Sequence, residues 1–136
     1  MKYYTEINTS HTADALSILL SDPRFVLPRM FKSIKDLQVD GSSYHGRANY
    51  MGLWHEINGN VYSSMNEISY VFSLRYGRSL GLGKLVFSLG LNKVSLSLKY
   101  EGWMERTSSV IINMWIKDFL KNFEEDVRLE RIKRKI

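Results

Sequence analysis

The sequence predicts an α+β domain in which a curved antiparallel sheet wraps around a long C-terminal helix. Three successive segments, 68–76, 84–89 and 93–100, place apolar residues at every second position, so each has one apolar and one polar face. Beginning at Thr107 or Ser108 and running past Arg128, a last segment has apolar residues at spacings of three and four. That spacing is typical of an amphipathic helix, and such a helix would cover the apolar face of the sheet.

Length and composition indicate an ordinary globular chain. Its 136 residues, 44% of them hydrophobic and 24% charged, suit a single domain over residues 1–136. The absence of cysteine excludes a disulfide framework, a thiolate nucleophile and cysteine-ligated zinc. No apolar stretch approaches the ~20 residues of a membrane-spanning helix, and the N-terminus has no signal-type apolar segment. We therefore expect a cytoplasmic protein without a transmembrane segment.

The N-terminal part predicts a strand followed by two short helices. Residues 2–8 alternate in polarity as a strand does, and Thr9, Ser10 and Thr12 offer caps for a helix over 13–20. The step Ser21-Asp22-Pro23 would end that helix and cap another over 24–30, which Pro28 keeps short.

From residue 31 onward the pattern predicts strands. Turn residues at 40–41, 58–60 and 90–92 separate several of them, because Asp-Gly and Asn-Gly steps favour tight turns. The predicted strands are 33–39, 43–51, 53–57, 61–65, 68–76, 84–89 and 93–100.

The closing helix is predicted to span the sheet. Some 25 residues at ~1.5 Å each reach about 37 Å, which is enough to cross it. The apolar positions of the helix are 112, 115, 116, 119, 123 and 127.

The basic charge of the chain is concentrated at its end. Five of the 19 basic residues lie in 128–136, which holds one acid, so the rest of the chain is nearly balanced. We expect this tail to extend past the body of the domain. Its apolar residues Leu129, Ile132 and Ile136 predict a homodimer through the C-terminal helix. Acids at 124–126 would oppose binding to nucleic acid, which we therefore disfavour.

Three features together carry a family resemblance: the strand and cap of Tyr3–Ser10, the leucine-rich helix Ala15–Leu20 with its Asp-Pro step, and the helix from Thr107. In these the chain resembles the START-like, or birch-pollen-allergen-like, helix-grip superfamily of polyketide cyclase and lipid-transport type, and it looks like an archaeal branch. The resemblance implies an apolar cavity between the sheet and the long helix. It further implies that the cavity binds or carries a hydrophobic small molecule such as a lipid, isoprenoid or polyketide.

Inward aromatic and aliphatic side chains are the candidates for lining such a cavity, with tyrosine hydroxyls and tryptophan N–H groups as polar handles. The alternative is that the same rings simply fill a solid core. No cofactor and no metal are predicted. The predicted ligand-binding residues are Tyr50, Trp54, Tyr70, Phe72, Phe87, Leu96, Leu98, Trp115 and Phe119.

Several short motifs fail their structural requirements. The G-x-S-x-G pattern at 77–81 would need a helix after it and a later histidine, but a strand follows and all three histidines precede it. Residues 77–85 also lack two residues that a phosphate loop requires: position 78 is Arg78 instead of glycine, and position 85 is Leu85 instead of serine or threonine. His45, His55 and Glu56 are suitable metal ligands by type, yet His45 alternates onto the polar face.

Two other functions stay open at this point. A cyclase- or hydrolase-like enzyme would need polar groups inside the cavity, and Tyr50 and Glu56 are the candidates. If Trp54 and Glu56 share the inner face, the carboxyl group could act as a general acid or base; we favour Glu56 pointing outward and pairing with Arg47 or Lys99. A closed core would instead indicate a non-catalytic protein-interaction module.

Overall fold

A computed structural model describes residues 1–136, and it contains seven strands and four helices. All strands belong to one curved sheet whose neighbours are antiparallel, which confirms the predicted class. None of the helices is both long and apolar enough to span a membrane. In chain order the elements are β1 (Lys2–Asn8), α1 (Ala13–Leu20), α2 (Pro23–Met30), β2 (Ile34–Asp40), β3 (Ser43–Tyr50), β4 (Leu53–Ser63), β5 (Glu67–Tyr76), β6 (Ser79–Gly90), β7 (Lys93–Gly102), α3 (Glu105–Lys121) and α4 (Phe123–Arg134).

The strand order is β1-β7-β6-β5-β4-β3-β2. Strands β2 to β7 follow one another as hairpins, and β1 pairs with the last strand, with Ile7 opposite Val94. The first and second strands therefore lie at opposite edges of the sheet. Helices α1 and α2 carry the chain from one edge to the other, and α3 packs on the same inner face.

The two short helices begin where the sequence predicts. The Thr12 hydroxyl accepts a hydrogen bond from the amide of Ala15, and the Asp22 carboxylate accepts one from the amide of Arg24. Each cap satisfies an amide that the first helical turn leaves unpaired. The buried Tyr70 hydroxyl donates to the Leu20 carbonyl at 2.6 Å, which ties the end of α1 to the sheet.

The core is built from the apolar faces of the strands. Alternate residues of β5, β6 and β7 are buried, as their period of two requires, and Tyr70, Leu85 and Leu98 lie in one row across the three strands. Ile116 and Phe119 of α3 and Phe123 of α4 are buried in the same cluster.

The predicted turn at 58–60 is wrong, because β4 continues through it as one strand. Gly59 lies directly opposite Tyr44 on the inner face, and a Cβ atom at Gly59 would lie 2.4 Å from the Tyr44 hydroxyl oxygen. That hydroxyl donates to the Val71 carbonyl at 3.0 Å. The glycine therefore makes room for a ring that crosses over it; it does not make a turn.

The prediction of a single long C-terminal helix is also wrong in detail, because the structure has two helices there. The first begins at Glu105, two residues earlier than predicted, after Met104 in a left-handed conformation with φ of 59°. The helix is interrupted at Asn122, whose backbone N–H and side-chain amide both donate to the Asp118 carbonyl at the end of α3. Helices α3 and α4 together cover the sheet.

The basic tail does not extend freely past the domain. The Arg134 guanidinium donates to Asp22 at 2.6 Å and to Glu130 at 2.7 Å, and Arg131 contacts His11 at 3.0 Å. These contacts hold α4 against the start of α1 and α2. The tail is bound back because Asp22, at the start of α2, supplies an anionic partner for Arg134.

The glycine-rich segment 77–81 forms the β5–β6 turn and the start of β6, with Tyr76 opposite Ser79. A strand follows it, so the segment is a strand connection, as the sequence indicates, and β6 starts five residues earlier than the predicted 84–89.

Candidate ligand cavity

A cavity of about 70 Å³ lies between the sheet and the first turns of α3. Strands β2 to β5 and β7 form its floor, and the segment before β2 closes one side. The lining comprises 17 residues, of which 14 are hydrophobic: Phe31, Ser33, Ile34, Ala48, Tyr50, His55, Ile57, Phe72, Leu74, Leu98, Tyr100, Trp103, Met104, Ser108, Ile111, Ile112 and Trp115.

The lining contains no Asp, Glu, Lys or Arg. Its imidazole belongs to His55, which is 2% exposed and points inward from β4. Charged ligand groups placed here would lose their hydration without gaining a counter-ion, which is strongly unfavourable. The electrostatics of the cavity therefore favour uncharged occupants.

Both ring nitrogens of His55 are hydrogen-bonded. The Trp103 indole N–H can only donate, so it fixes Nε2 of His55 as the acceptor, at 2.9 Å. The proton then lies on Nδ1, which donates to the Leu53 carbonyl at 3.0 Å. The Tyr76 ring stacks on Trp103 at 5.5 Å between centroids and shields this bond from outside.

Tyr100 joins the sheet to the start of α3. Its hydroxyl donates to the Trp103 carbonyl at 2.5 Å, in the connection between β7 and α3. Burial, aided by the negative charge of Glu105, raises the pKa of Tyr100 to about 12, so its hydroxyl stays protonated at neutral pH. With the His55–Trp103 bond, this contact fixes both the backbone and the side chain of Trp103.

At the mouth of the cavity, Tyr50 from the end of β3 meets Trp115 from α3. The two rings pack edge to face, 6.2 Å apart, and both are half-buried. Deeper in, Phe72 stacks on Tyr100 and packs beside Phe31. Solvent borders one side of each of the two mouth rings, Tyr50 and Trp115, which gives them more freedom to move than the buried rings of Phe31 and Phe72.

The structure divides the nine predicted ligand-binding residues into three groups. Four of them line the cavity: Tyr50, Phe72, Leu98 and Trp115. Four others are buried in the core away from it: Tyr70, Phe87, Leu96 and Phe119. The ninth, Trp54, is 50% exposed on the outer face of β4, where the Arg47 guanidinium lies 5.1 Å from its ring centroid.

Glu56 also points outward, as we favoured, but the expected ion pair is wrong: Arg47, opposite it in the β3–β4 register, pairs with Asp36 instead. His45 is on the same outer face, whereas His55 is inside. The three potential metal ligands therefore do not converge, and no carboxylate reaches the cavity.

The sequence interpretation did not select several residues that shape the cavity. His55 alternates with Leu53 and Ile57 on the apolar face of β4, so strand periodicity alone could have identified it. Trp103 and Met104 lie in the irregular connection before α3, for which no periodic pattern exists.

Comparisons with solved structures match the whole fold. A hypothetical protein from Sulfolobus tokodaii superposes with a TM-score of 0.81 at 25% sequence identity, covering 98% of this chain and 99% of that one. A START superfamily protein from Mycobacterium smegmatis gives a TM-score of 0.67 at 16% identity, covering 94% and 97%. The major latex-like protein 151 of Panax ginseng gives 0.58 at 12% identity, covering 91% and 97%.

A family model matches residues 1–136. The chain belongs to the START-like superfamily. No curated protein matches it in sequence. Its START-like helix-grip fold places the C-terminal helices over the sheet, which is the arrangement that leaves the cavity under α3.

Proposed function

We propose that this START-like protein binds or carries a hydrophobic small molecule in the cavity between the sheet and α3. The observation that carries the proposal is the lining, which is largely hydrophobic and free of charged side chains. Proteins of this superfamily commonly bind hydrophobic ligands, which supports the same assignment. Glu56 lies outside the cavity, which weakens the alternative of a cyclase- or hydrolase-like enzyme.

The size of the cavity sets a condition on this function. About 70 Å³ corresponds to roughly two water molecules, whereas an engineered cavity that holds benzene measures about 150 Å³. A ligand must therefore displace side chains on entry. Movement of Tyr50 and Trp115 at the mouth would widen the cavity without unpacking the buried core around Tyr70.

Native mass spectrometry of the purified protein tests the proposal. We expect a mass increment from a hydrophobic molecule that organic solvent extracts. In the variant Ala48→Leu the added side chain projects into the cavity, so the increment should disappear. Val71→Leu is the matched control, because Val71 is exposed on the outer face of the same sheet. A wild-type protein that neither carries nor takes up any apolar compound would overturn the proposal.

We also propose that the protein forms a homodimer through α4. Leu129, Ile132 and Ile136 are 52%, 62% and 42% exposed, so an apolar stripe remains on the solvent side although the arginines of the helix are bound back. A second copy of α4 would cover this stripe through a symmetric contact.

A further inference from the structure

We infer that the ligand is an uncharged single-ring compound carrying one hydroxyl or carbonyl group, and that this group lies at the mouth against Tyr50 and Ser33. The inference rests on the proposed function and specifies the chemical class of its ligand. It follows from which polar groups of the cavity are already paired, which are free, and where each lies.

The deep polar groups have no proton left to donate to a ligand. Both nitrogens of His55 are paired, the Tyr100 hydroxyl donates to a backbone carbonyl, and the Ser108 hydroxyl donates to the Met104 carbonyl at 2.6 Å. A ligand carbonyl or hydroxyl oxygen placed there would lose its hydrogen bonds from water and find no donor, at a cost of about 1–3 kcal/mol. An apolar inner end of the ligand avoids that cost.

The free polar groups lie at the mouth. The hydroxyls of Tyr50 and Ser33 form no hydrogen bond within the chain, and both residues are half-buried beside the cavity. The amide of Asn49, the residue before Tyr50 on β3, donates to the Ser33 carbonyl at 2.8 Å, which ties the segment just before β2 to the end of β3. Each hydroxyl can donate or accept, so the pair suits a ligand hydroxyl or carbonyl equally well.

The cation next to Ser33 in the chain is already engaged. Lys32 forms an ion pair with Asp118 of α3. To bind Lys32, a ligand carboxylate would have to displace Asp118 and leave that carboxylate without its partner. The cavity therefore discriminates against anions at its mouth as well as in its interior.

The aromatic walls favour a ring over an extended chain. Phe72 and Tyr100 both line the cavity, and their rings stack with an interplanar angle of 14°. The limited volume accepts one ring once Tyr50 and Trp115 move apart, whereas a long acyl chain would require movement of buried core residues.

Three probes that share one methyl-substituted ring test the inference at pH 7: 4-methylphenol, toluene and 4-methylbenzoate. Dissociation constants come from amide chemical-shift titrations, which also show whether the probe lies in the cavity. We expect 4-methylphenol to bind about fivefold more tightly than toluene, which corresponds to one hydrogen bond. We expect 4-methylbenzoate to bind at least about tenfold more weakly than 4-methylphenol, because its charge is unpaired.

The variant Tyr50→Phe keeps the ring and removes the hydroxyl. It should weaken 4-methylphenol binding several-fold and leave toluene binding unchanged, and Ser33→Ala should act in the same direction. Tyr62→Phe, on the exposed outer face, is the control and should change neither.

The outcomes separate the inference from the proposed function. Binding of 4-methylbenzoate as tightly as 4-methylphenol would overturn the inference and leave ligand binding intact; loss of that binding in Lys32→Gln would show that Lys32 holds the anion. Equal affinities for 4-methylphenol and toluene in wild type and Tyr50→Phe would overturn the role of the mouth hydroxyls. Failure of all three probes to shift cavity resonances in the folded protein would overturn both the inference and ligand binding.

Discussion

An aromatic ring occupies the space next to Gly83 on β6 into which a side chain would project. A Cβ atom added there would lie 2.2 Å from Cζ of Phe72, the residue directly opposite on β5. Carbon atoms pack best at about 3.5–4.0 Å, so the Phe72 ring would have to move by more than about 1 Å. Phe31 and Tyr100 pack against that ring, and the space open to it is the cavity.

The substitution Gly83→Ala therefore tests whether the ring packing is as tight as the structure indicates. Overpacking in a core costs about 1–3 kcal/mol. Replacing glycine by alanine also restricts the unfolded chain, which favours folding by about 0.4–1 kcal/mol where the backbone accepts alanine. The matched control is Gly90→Ala at the end of the same strand, where the nearest atom would be at 3.6 Å.

Urea unfolding followed by far-ultraviolet circular dichroism measures both variants. We expect Gly90→Ala to equal or slightly exceed the wild-type free energy of unfolding, and Gly83→Ala to fall about 1–3 kcal/mol below Gly90→Ala with an unchanged slope. The displaced Phe72 ring would also occupy the cavity and weaken binding of 4-methylphenol. Equal stability of the two variants would refute the argument, because it would show that the ring moves without cost.

Tyr70→Phe should lower the free energy of unfolding by about 1–3 kcal/mol in urea titrations, because the buried carbonyl of Leu20 loses the hydroxyl that donates to it. Burial opposes ionisation of Glu124, but hydrogen bonds from the Thr9 hydroxyl and from Ser10 outweigh it and lower the pKa of that carboxyl. Glu124→Gln, discounted for solvent exposure, should cost about 1 kcal/mol at pH 7, and the difference should be lost as the pH falls through the lowered pKa of the folded-state carboxyl. Deletion of residues 128–136 should convert the proposed dimer to a monomer in light scattering.

Each of these expectations has a control. Tyr62→Phe, on the exposed face, should change stability by less than about 0.5 kcal/mol, and so should Glu125→Gln, which removes an exposed ion pair with Arg128. A Tyr70→Phe variant as stable as Tyr62→Phe, or a Glu124→Gln effect independent of pH, would contradict the assignments. Equal masses for the full chain, the deletion and Ile132→Ser would disprove self-association through α4.

Local sequence patterns were sufficient for most of the elements. The alternation of 93–100 requires a strand with one apolar face, and Thr12 and Asp22 mark the helix starts at which the structure shows caps. Such signals depend on a few neighbouring residues, so they can be recognised without knowing the rest of the fold. The family resemblance extended them to the correct sheet-and-helix arrangement.

Tertiary contacts settled the features that local patterns misassigned. Asn58-Gly59-Asn60 has the composition of a turn, yet Gly59 is in mid-strand because Tyr44 needs the space above it. Trp54 is apolar enough for the core, but the register of β4 puts His55 inside, so the tryptophan packs under Arg47 on the outer face.

The composition of the cavity depended on the position of α3. Every second residue of each strand faces inward, but α3 fills the space over Phe87 and Leu96 and leaves a void over Phe72 and Leu98. Alternation identifies the inner face and carries no information about which part of it another element covers. Trp103 helps to fix where that helix begins, because its indole bonds to His55 on β4, which is distant in the chain, and its carbonyl accepts from Tyr100 at the end of the sheet.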